Sequence, residues 1–281
     1  AIGPQFIIAA HLNHGWRTDA EDDAAWCATF AEKLGCRFEL GHAREFPTKH
    51  SGSREADART QRRAFFERCA TKHNATTIAL GHHADDQLET FFIRLTRGAE
   101  LKGLCAMRPR AGKYVHALLP VHKAEILADL QEDGLAYRID STNNEPTYLR
   151  NRLREGIAFF QKQDERFVPN ALRTIGQLTA ADEFLDRLVQ EKLKKLRVEV
   201  DSSPGLIREE WLAEDPYLQR RILGIFLCDA GARHTAHHGF YEEILRFARG
   251  VKSTTHVLSP YWRLRKKGAA LVVERIPSIT P

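Results

Sequence analysis

Two histidines and two aspartates lie within one short polar segment: His82, His83, Asp85 and Asp86. The segment follows an apolar run typical of a strand and precedes a pattern typical of a helix, and ligands bind at such strand ends in open parallel sheets. The helix N-terminus adds a positive electrostatic potential. These side chains could hold Mg²⁺, bind a phosphate or transfer a proton. The alternative is that Asp85 or Asp86 only caps the helix and that the histidines are solvated.

Arginines on the preceding amphipathic segment are candidates for phosphate binding. A helix is predicted from Arg54 to Lys72, and Arg59 and Arg62 share one of its faces because they are three positions apart. Guanidinium groups bind phosphate oxygens through paired hydrogen bonds. The two arginines could clamp a phosphate, or they could form an ordinary solvated basic face.

A third group of candidates follows the sequence DSTN at Asp140–Asn143. It has the sequence RNRLR and contains Arg150, Asn151 and Arg154. Alternating arginines beside an asparagine suit an RNA backbone or a triphosphate. The basic beginning of an ordinary helix would have a similar composition.

The segment Tyr261–Lys267 mixes aromatic residues with cations, among them Arg263 and Arg265. Such a mixture suits stacking on bases and neutralisation of phosphates. The alternative is an edge strand whose Lys and Arg side chains extend into solvent.

Alternating apolar and amphipathic segments indicate how these residues are positioned. Apolar runs predict strands at Phe6–Leu12, Arg37–Leu40, Thr76–Leu80 and Tyr114–Leu119. Amphipathic runs predict helices at Asp19–Leu34, Arg54–Lys72, Asp85–Arg97 and Lys123–Glu132. This alternation predicts an α/β fold, an open, parallel, Rossmann-like sheet with helices on both faces.

The rest of the chain is predicted to form a smaller, mainly helical domain. Helices are predicted at Asp182–Val198, Glu209–Asp229 and Phe240–Arg249, with a break at Ser202–Gly205 and two strands at His256–Leu258 and Leu271–Glu274. We therefore expect one domain at residues 1–170, a helical linker at 171–200 and a second domain at 201–281.

The composition excludes several classes of protein. The chain has 281 residues, of which 43% are hydrophobic, so it is neither disordered nor collagen-like. Its net charge of +5 suggests an anionic partner such as nucleic acid or nucleotide. The five cysteines contain no CxxC pair, which argues against a disulfide framework and fits a reducing cytoplasm. No apolar run approaches the roughly 18 residues of a membrane span, so we expect no membrane partner.

The order and spacing of three segments indicate a family. GHHADDQLET, the preceding EADARTQRR and the DSTN…RNRLR segment together resemble the tRNA(Ile)-lysidine synthetase family of the N-type ATP pyrophosphatase (PP-loop) superfamily. The resemblance covers most of the chain and implies an adenine nucleotide alpha hydrolase-like fold. It also implies an enzyme that uses ATP and Mg²⁺ to adenylate the C2 oxygen of the wobble cytidine in the isoleucine tRNA with a CAU anticodon. The side-chain amine of L-lysine then displaces AMP and gives lysidine.

The resemblance implies roles for the histidines and aspartates. His82 would orient or deprotonate the attacking amine. Asp86 would hold Mg²⁺ or the lysine ammonium, and His83 and Asp85 would lie beside them at the nucleotide.

The arginines also acquire roles through the resemblance. Arg62, and Arg59 beside it, would offset the charge that builds up on the leaving phosphate. Arg150 would lie on the nucleotide side, and Asn151 and Arg154 on the tRNA side. The C-terminal domain would help to hold the tRNA, and a homodimer is compatible with this assignment.

Two departures from the family pattern concern sequence motifs. The family begins with a strand and an SGGxDS loop whose backbone amides hold the pyrophosphate of ATP, and this chain has no SGGxDS sequence. Because FIIAAHLNHGWR is similar to the family's second strand, we expect that the first strand, the loop and the first helix are missing through truncation. His116-Ala117 stands where many members have Arg-Pro.

Two alternative functions stay open. One is a tRNA-binding protein without catalysis, which the missing loop would explain. The other is a different PP-loop tRNA-modifying enzyme such as a thiolase, although thiolases usually carry the CxxC pairs that this chain lacks.

Overall fold

The chain divides into two units, Ala1–Gly176 and Gln177–Pro281. In the computed structural model, residues 3–16, 18–48, 54–138, 149–232 and 238–276 are described. Within those ranges no helix is both long and apolar enough to cross a membrane. Each unit has its own sheets and its own apolar core.

The first unit begins with two parallel strands joined by a helix. β1 (Ile8–Asn13) pairs along its whole length with β2 (Arg37–His42). Between them in sequence lies α1 (Ala20–Lys33). Gly35 follows this helix with a φ of 68°, a conformation that lets the chain reverse towards β2. The predicted strand–helix–strand order is confirmed.

A long helix, α2 (Arg54–Lys72), packs against this strand pair. The fully buried ring of Phe65 lies in a core with Leu12 and Cys69. A Cβ atom on Gly41 of β2 would lie 2.5 Å from the Phe65 ring, so only glycine permits this close approach. The predicted bounds of the helix are confirmed.

Three short strands form a second sheet in the same unit. β3 (Ile78–Ala79) is parallel to β5 (Tyr114–Val115), and β4 (Arg110–Ala111) is antiparallel to β5. The parallel pairing agrees with the prediction, but β3 and β5 are shorter than predicted because the chain leaves the ladder after the bond from Leu80 N–H to the Val115 carbonyl. Within the described ranges β1 pairs only with β2 and β3 only with β5, so the strands form two sheets instead of one.

Four further helices of this unit follow β3 in the sequence: α3 (Ala84–Thr96), α4 (Leu101–Leu104), α5 (Lys123–Glu132) and α6 (Leu149–Gln163). The helical prediction for α5 is confirmed residue for residue. Leu88 of α3 is buried in a cluster with Val168 and Ile175, and Ile157 of α6 packs against it. This apolar contact holds α6 against α3.

The longest helix is α7 (Phe167–Leu196), which begins well before the predicted start at Asp182. Pro169 lies in its first turn, where the absence of an N–H group costs no intrahelical hydrogen bond. Most of the segment predicted as a linker, 171–200, is therefore a continuous helix.

The second unit contains a five-stranded antiparallel sheet as well as the expected helices. Its strands are β6 (Arg197–Val200), β7 (Ser203–Ile207), β8 (Thr255–Ser259), β9 (Trp262–Lys267) and β10 (Ala270–Arg275), in the order β6-β7-β10-β9-β8. Strands are predicted directly for β8 and β10, and β9 corresponds to the strand that the sequence offers as the alternative for Tyr261–Lys267. The predicted break at Ser202–Gly205 is wrong, because most of that segment belongs to strand β7. The chain turns just before it, where Asp201 and Ser202 take positive φ values of 50° and 58°, which suits a tight turn between β6 and β7.

Three helices cover this sheet: α8 (Arg208–Leu212), α9 (Pro216–Asp229) and α10 (His238–Arg249). Trp211 is fully buried, and its indole N–H donates to the Gln219 carbonyl at 2.9 Å. The single helix predicted at Glu209–Asp229 is two helices, because Asp215 caps a new helix at Pro216 by accepting from the Tyr217 N–H at 2.8 Å.

Candidate active site

The polar segment after β3 leads directly into the first turn of α3. The N–H of His83 donates to Asp86 Oδ2 at 3.0 Å, so Asp86 caps this helix, as the simpler interpretation predicts. The His83 ring lies 3.3 Å from Asp85 Oδ2 and 3.5 Å from Asp86 Oδ2. Asp85 also accepts from the Lys123 N–H at 2.9 Å, which ties the start of α5 to this turn. Capping engages only one oxygen of the Asp86 carboxylate, so the group can still bind a cation.

His82 lies at the same strand end in a partly buried position. Its ring centroid is 5.1 Å from that of His116, whose Nδ1 lies 2.8 Å from the Arg108 carbonyl oxygen. His82 Nδ1 is buried and has no hydrogen-bond partner within the described part of the chain. Burial lowers the pKa of His82, and this outweighs the opposite effect of the Asp86 carboxylate. A neutral imidazole at neutral pH can accept a proton.

The two arginines of α2 act on two different strand ends. The charge of Arg59 contributes to the lowered pKa of His82 at the end of β3. Arg62 Nη2 lies 3.4 Å from Nε2 of His14, which follows β1. Burial first, and then the charge of Arg62, lower the pKa of His14 to about 4. Helix α2 thus brings positive charge to both strand ends.

His14 is a candidate that the sequence analysis missed. Its ring centroid lies 4.8 Å from that of Trp16, which is exposed. The sequence signal that could have revealed it is the one that revealed His82, a histidine immediately after an apolar strand.

A buried carboxylate joins the first turns of α3 to the RNRLR segment. Glu89 is 2% exposed and lies one turn after Asp86. Its Oε1 accepts from Arg154 Nε at 2.7 Å, and its Oε2 lies 2.8 Å from Arg150 Nε. The segments GHHADDQLET and RNRLR, separated in sequence, therefore meet through three side chains.

Glu89 was also missed by the sequence analysis, although it belongs to the segment GHHADDQLET. It lies three positions after Asp86, so the two carboxylates share a helix face. Asn151 lies half-buried in the first turn of α6 beside Arg150. The predicted DSTN segment, Asp140–Asn143, lies outside the described residues.

The predicted tRNA-binding arginines of the second unit lie on β9. This strand is flanked by β8 and β10, so the alternative of an edge strand is wrong. Arg263 Nε donates to Glu274 Oε2 at 2.9 Å, and Lys267 Nζ lies 2.6 Å from Glu274 Oε1. Arg265 Nη1 is 3.9 Å from the same carboxylate. One glutamate therefore offsets part of this basic cluster.

Metal-binding capacity in the described ranges is limited. They contain no group of three or more His, Cys, Asp or Glu side chains that could hold a metal ion on their own. All five cysteines are free thiols. A Mg²⁺ ion bound here would share its coordination with substrate phosphates, as is usual for this ion.

The sequence matches the PP-loop domain family over residues 3–159. It is 30% identical over 269 residues to the tRNA(Ile)-lysidine synthase of Bacillus subtilis, and the match covers 88% of this chain and 57% of that protein. It is 36% identical over 225 residues to the tRNA(Ile)-lysidine synthase of Geobacter sulfurreducens, with 77% of this chain and 47% of that protein covered. The chain thus spans about half the length of these curated relatives.

Among solved structures, the U34-tRNA thiolase NcsA from Methanococcus maripaludis superposes with a TM-score of 0.51. The sequence identity is 18%, and the match covers 61% of each chain, so the likeness concerns the fold alone. The family match spans more than half of the chain, includes both strand ends of the site and agrees with the α/β fold. On these grounds the chain belongs to the PP-loop domain family.

Proposed function

We propose that this chain ligates lysine to C2 of the wobble cytidine in the isoleucine tRNA with a CAU anticodon, at the expense of ATP. The observation that carries the proposal is the contact between Glu89 and the two arginines, Arg150 and Arg154, because it unites two of the three segments that carry the resemblance. The relatives named tRNA(Ile)-lysidine synthase support the same assignment.

The reaction has two balanced steps. The C2 oxygen of the cytidine attacks the α-phosphorus of ATP and pyrophosphate leaves, which gives an adenylated tRNA. The lysine side-chain amine then attacks C2, the C2–oxygen bond breaks, and AMP leaves with that oxygen. The amine must lose a proton as it forms the new carbon–nitrogen bond.

The protein side chains supply proton transfer and positioning in this scheme. His82, neutral because burial lowers its pKa, accepts the proton of the attacking amine. Asp86 positions the amine through its ammonium form or binds Mg²⁺, and His83 and Asp85 border the nucleotide. A Mg²⁺ ion arriving with ATP would offset phosphate charge and needs only one or two protein carboxylates.

The arginines offset negative charge. Arg62 and Arg59 stabilise the charge that develops on the leaving phosphate, and Arg150 binds on the nucleotide side. Asn151 and Arg154 contact the tRNA.

The domains divide the task between them. Residues 1–170 bind ATP and lysine and carry out catalysis, 171–200 form a linker that is helical as far as Leu196, and 201–281 bind tRNA through Arg263 and Arg265. The protein acts in the cytoplasm, where its tRNA substrate is found.

The test is incorporation of radiolabelled lysine into the CAU-anticodon isoleucine tRNA by the protein as its gene encodes it, with ATP and Mg²⁺. The matched control is the same tRNA carrying a GAU anticodon, which lacks the wobble cytidine. Label in the CAU tRNA alone, with one AMP released per lysine, is the expected result. Binding of tRNA without label would favour a tRNA-binding protein without catalysis.

A further inference from the structure

Helix α6 has an exposed face opposite the one that contacts Glu89. An α-helix turns about 100° per residue, so Arg152, Gly156, Phe159 and Gln163 form one stripe along it. Arg150 and Arg154 lie on the other side of the same helix, against α3. The stripe is open to solvent, and the Phe159 side chain is 59% exposed.

The exposed ring of Phe159 is held in place by neighbouring aromatic rings. It meets Phe160 edge to face, with centroids 5.6 Å apart and an interplanar angle of 76°. Phe160 stacks on Phe167 at 5.2 Å, and Phe167 stacks on Phe92 of α3 at 6.0 Å. Because this ladder connects the surface ring to packed helices, a ligand that stacks on Phe159 loses little additional side-chain entropy on binding.

The stripe has the chemistry of a surface for single-stranded nucleic acid. Arg152 is exposed and has no carboxylate partner within the described ranges, so its charge can neutralise a phosphate. A Cβ atom at Gly156 would meet nothing within 4 Å, so the surface between the cation and the ring is open. Gln163 adds an amide that can hydrogen-bond to a base edge. Combinations of a cation and an aromatic platform bind unpaired bases.

Charge favours RNA over a second protein as the occupant. The exposed large apolar side chains of α6 are Phe159 and Phe160, and the exposed charged residues beside them are two cations, Arg152 and Lys162, and one carboxylate, Glu155. Protein interfaces usually bury a wider apolar centre from which charged residues are depleted. A polyanion with planar bases complements both the cations and the rings.

We propose that this stripe binds tRNA, with an unpaired base stacked on Phe159 and a phosphate paired with Arg152. The inference rests on the proposed function and deepens it, because it names a tRNA contact on the catalytic unit. It also places this contact on the helix whose other face carries Arg150 and Arg154.

The test is equilibrium binding of the CAU-anticodon isoleucine tRNA to the protein and its variants over a range of salt concentrations. Phe159→Ala should weaken binding by roughly 5-fold to 100-fold, the range expected for loss of one stacked base. Phe159→Trp should restore it, whereas Phe159→Leu, which keeps an apolar side chain, should not. Arg152→Ala should reduce the slope of log K against log salt by about one.

Phe184 provides a matched control because it is also 59% exposed on a helix but lies in the second unit. Phe184→Ala should leave tRNA binding unchanged. Equal effects of the two alanine variants, or full binding by Phe159→Leu, would overturn the proposal. So would a fall in the melting temperature of Phe159→Ala without weaker binding, because the ring would then pack against the protein itself.

Lysine incorporation by the unaltered protein separates this proposal from the proposed function. Label in the tRNA together with normal binding by Phe159→Ala would refute the RNA-binding stripe and leave the ligase assignment intact. Weaker binding by Phe159→Ala without label in any sample would support the stripe and refute the ligase. Failure of the unaltered protein to bind tRNA would refute both.

Discussion

Each unit of the chain contains a glutamate that is surrounded by cations, buried in the first unit and partly buried in the second, but the two clusters arise differently. Glu89 is 2% exposed and joins helices α3 and α6, and its partner Arg154 is 65 residues away in sequence. Glu274 has an 11% exposed side chain, and its partner Arg263 is only 11 residues away on the neighbouring strand. The cations around Glu274 are Arg263, Arg265 and Lys267.

The difference shows that basic residues close together in the sequence have different structural roles in the two units. Glu274 lies opposite Arg263 in the pairing of β9 with β10, so register alone brings these side chains together. Part of the positive charge of β9 therefore stabilises a hairpin. Glu89 meets Arg150 and Arg154 only because α3 and α6 pack against each other, and the contact adjoins the strand-end residues. There the basic residues organise the candidate site.

The largest effect on stability is expected from Glu89→Ala. The substitution leaves two arginines beside a buried position without their shared carboxylate, so the free energy of unfolding should fall by about 3–4 kcal/mol. Urea denaturation measures this. The matched control is Glu155→Gln, an exposed glutamate on α6, which should change it by less than about 0.5 kcal/mol. Equal effects would contradict the structural role of Glu89.

A smaller loss is expected from Glu274→Gln. Its cations are partly exposed and can be solvated once the carboxylate charge is gone, so the free energy of unfolding should fall by about 1–2 kcal/mol. The same denaturation experiment compares it with Glu89→Gln. A greater fall in the free energy of unfolding for Glu274→Gln than for Glu89→Gln would contradict the prediction that the Glu89 cluster contributes more to stability.

The salt dependence of tRNA binding distinguishes the arginines of β9. Arg263 is hydrogen-bonded to Glu274 at 2.9 Å, whereas Arg265 lies 3.9 Å from it and is freer to bind phosphate. Arg265→Ala should therefore reduce the salt slope of tRNA binding by about one, and Arg263→Ala by less. An unchanged slope in both variants would make β9 purely structural.

The smallest effect is expected at acid pH. Burial opposes ionisation of Glu274, but hydrogen bonds from Lys267 and Arg263 hold the pKa of this carboxyl below its usual value of 4.5. A lowered pKa contributes stability above the unfolded-state value, and the contribution is lost as pH falls through the folded-state value. Between about pH 6 and about pH 3 the Glu274→Gln variant should lose less stability than the unaltered protein, by less than about 1 kcal/mol. The measurement is the free energy of unfolding as a function of pH, and an equal loss of stability by the two proteins would contradict this prediction.

Local sequence patterns were sufficient to predict several helices and the position of part of the candidate site. Amphipathic spacing without internal glycine or proline predicts α2 and α5 with the bounds that the structure has. The strand-to-helix transition at GHHADD predicts where His82 and Asp86 lie, because it depends only on neighbouring residues.

Features that depend on tertiary context could not be predicted in the same way. The β6–β7 hairpin turns at Asp201 and Ser202, which both take positive φ values, and neither position has the glycine that usually marks such a turn in a sequence. The partnership of Glu89 with Arg154 spans 65 residues and depends on helix packing. The contact between His14 and Arg62 also depends on tertiary packing, because the two residues are 48 positions apart in the sequence.

The most direct test of the central claim is lysine incorporation by Asp86→Ala, measured beside tRNA binding in the same samples. Asp86 lies at the strand end where the site residues meet, so its loss should reduce incorporation by at least about 100-fold while tRNA affinity stays within about twofold. Incorporation at the level of the unaltered protein would contradict the claim that the β3 strand end carries out the chemistry.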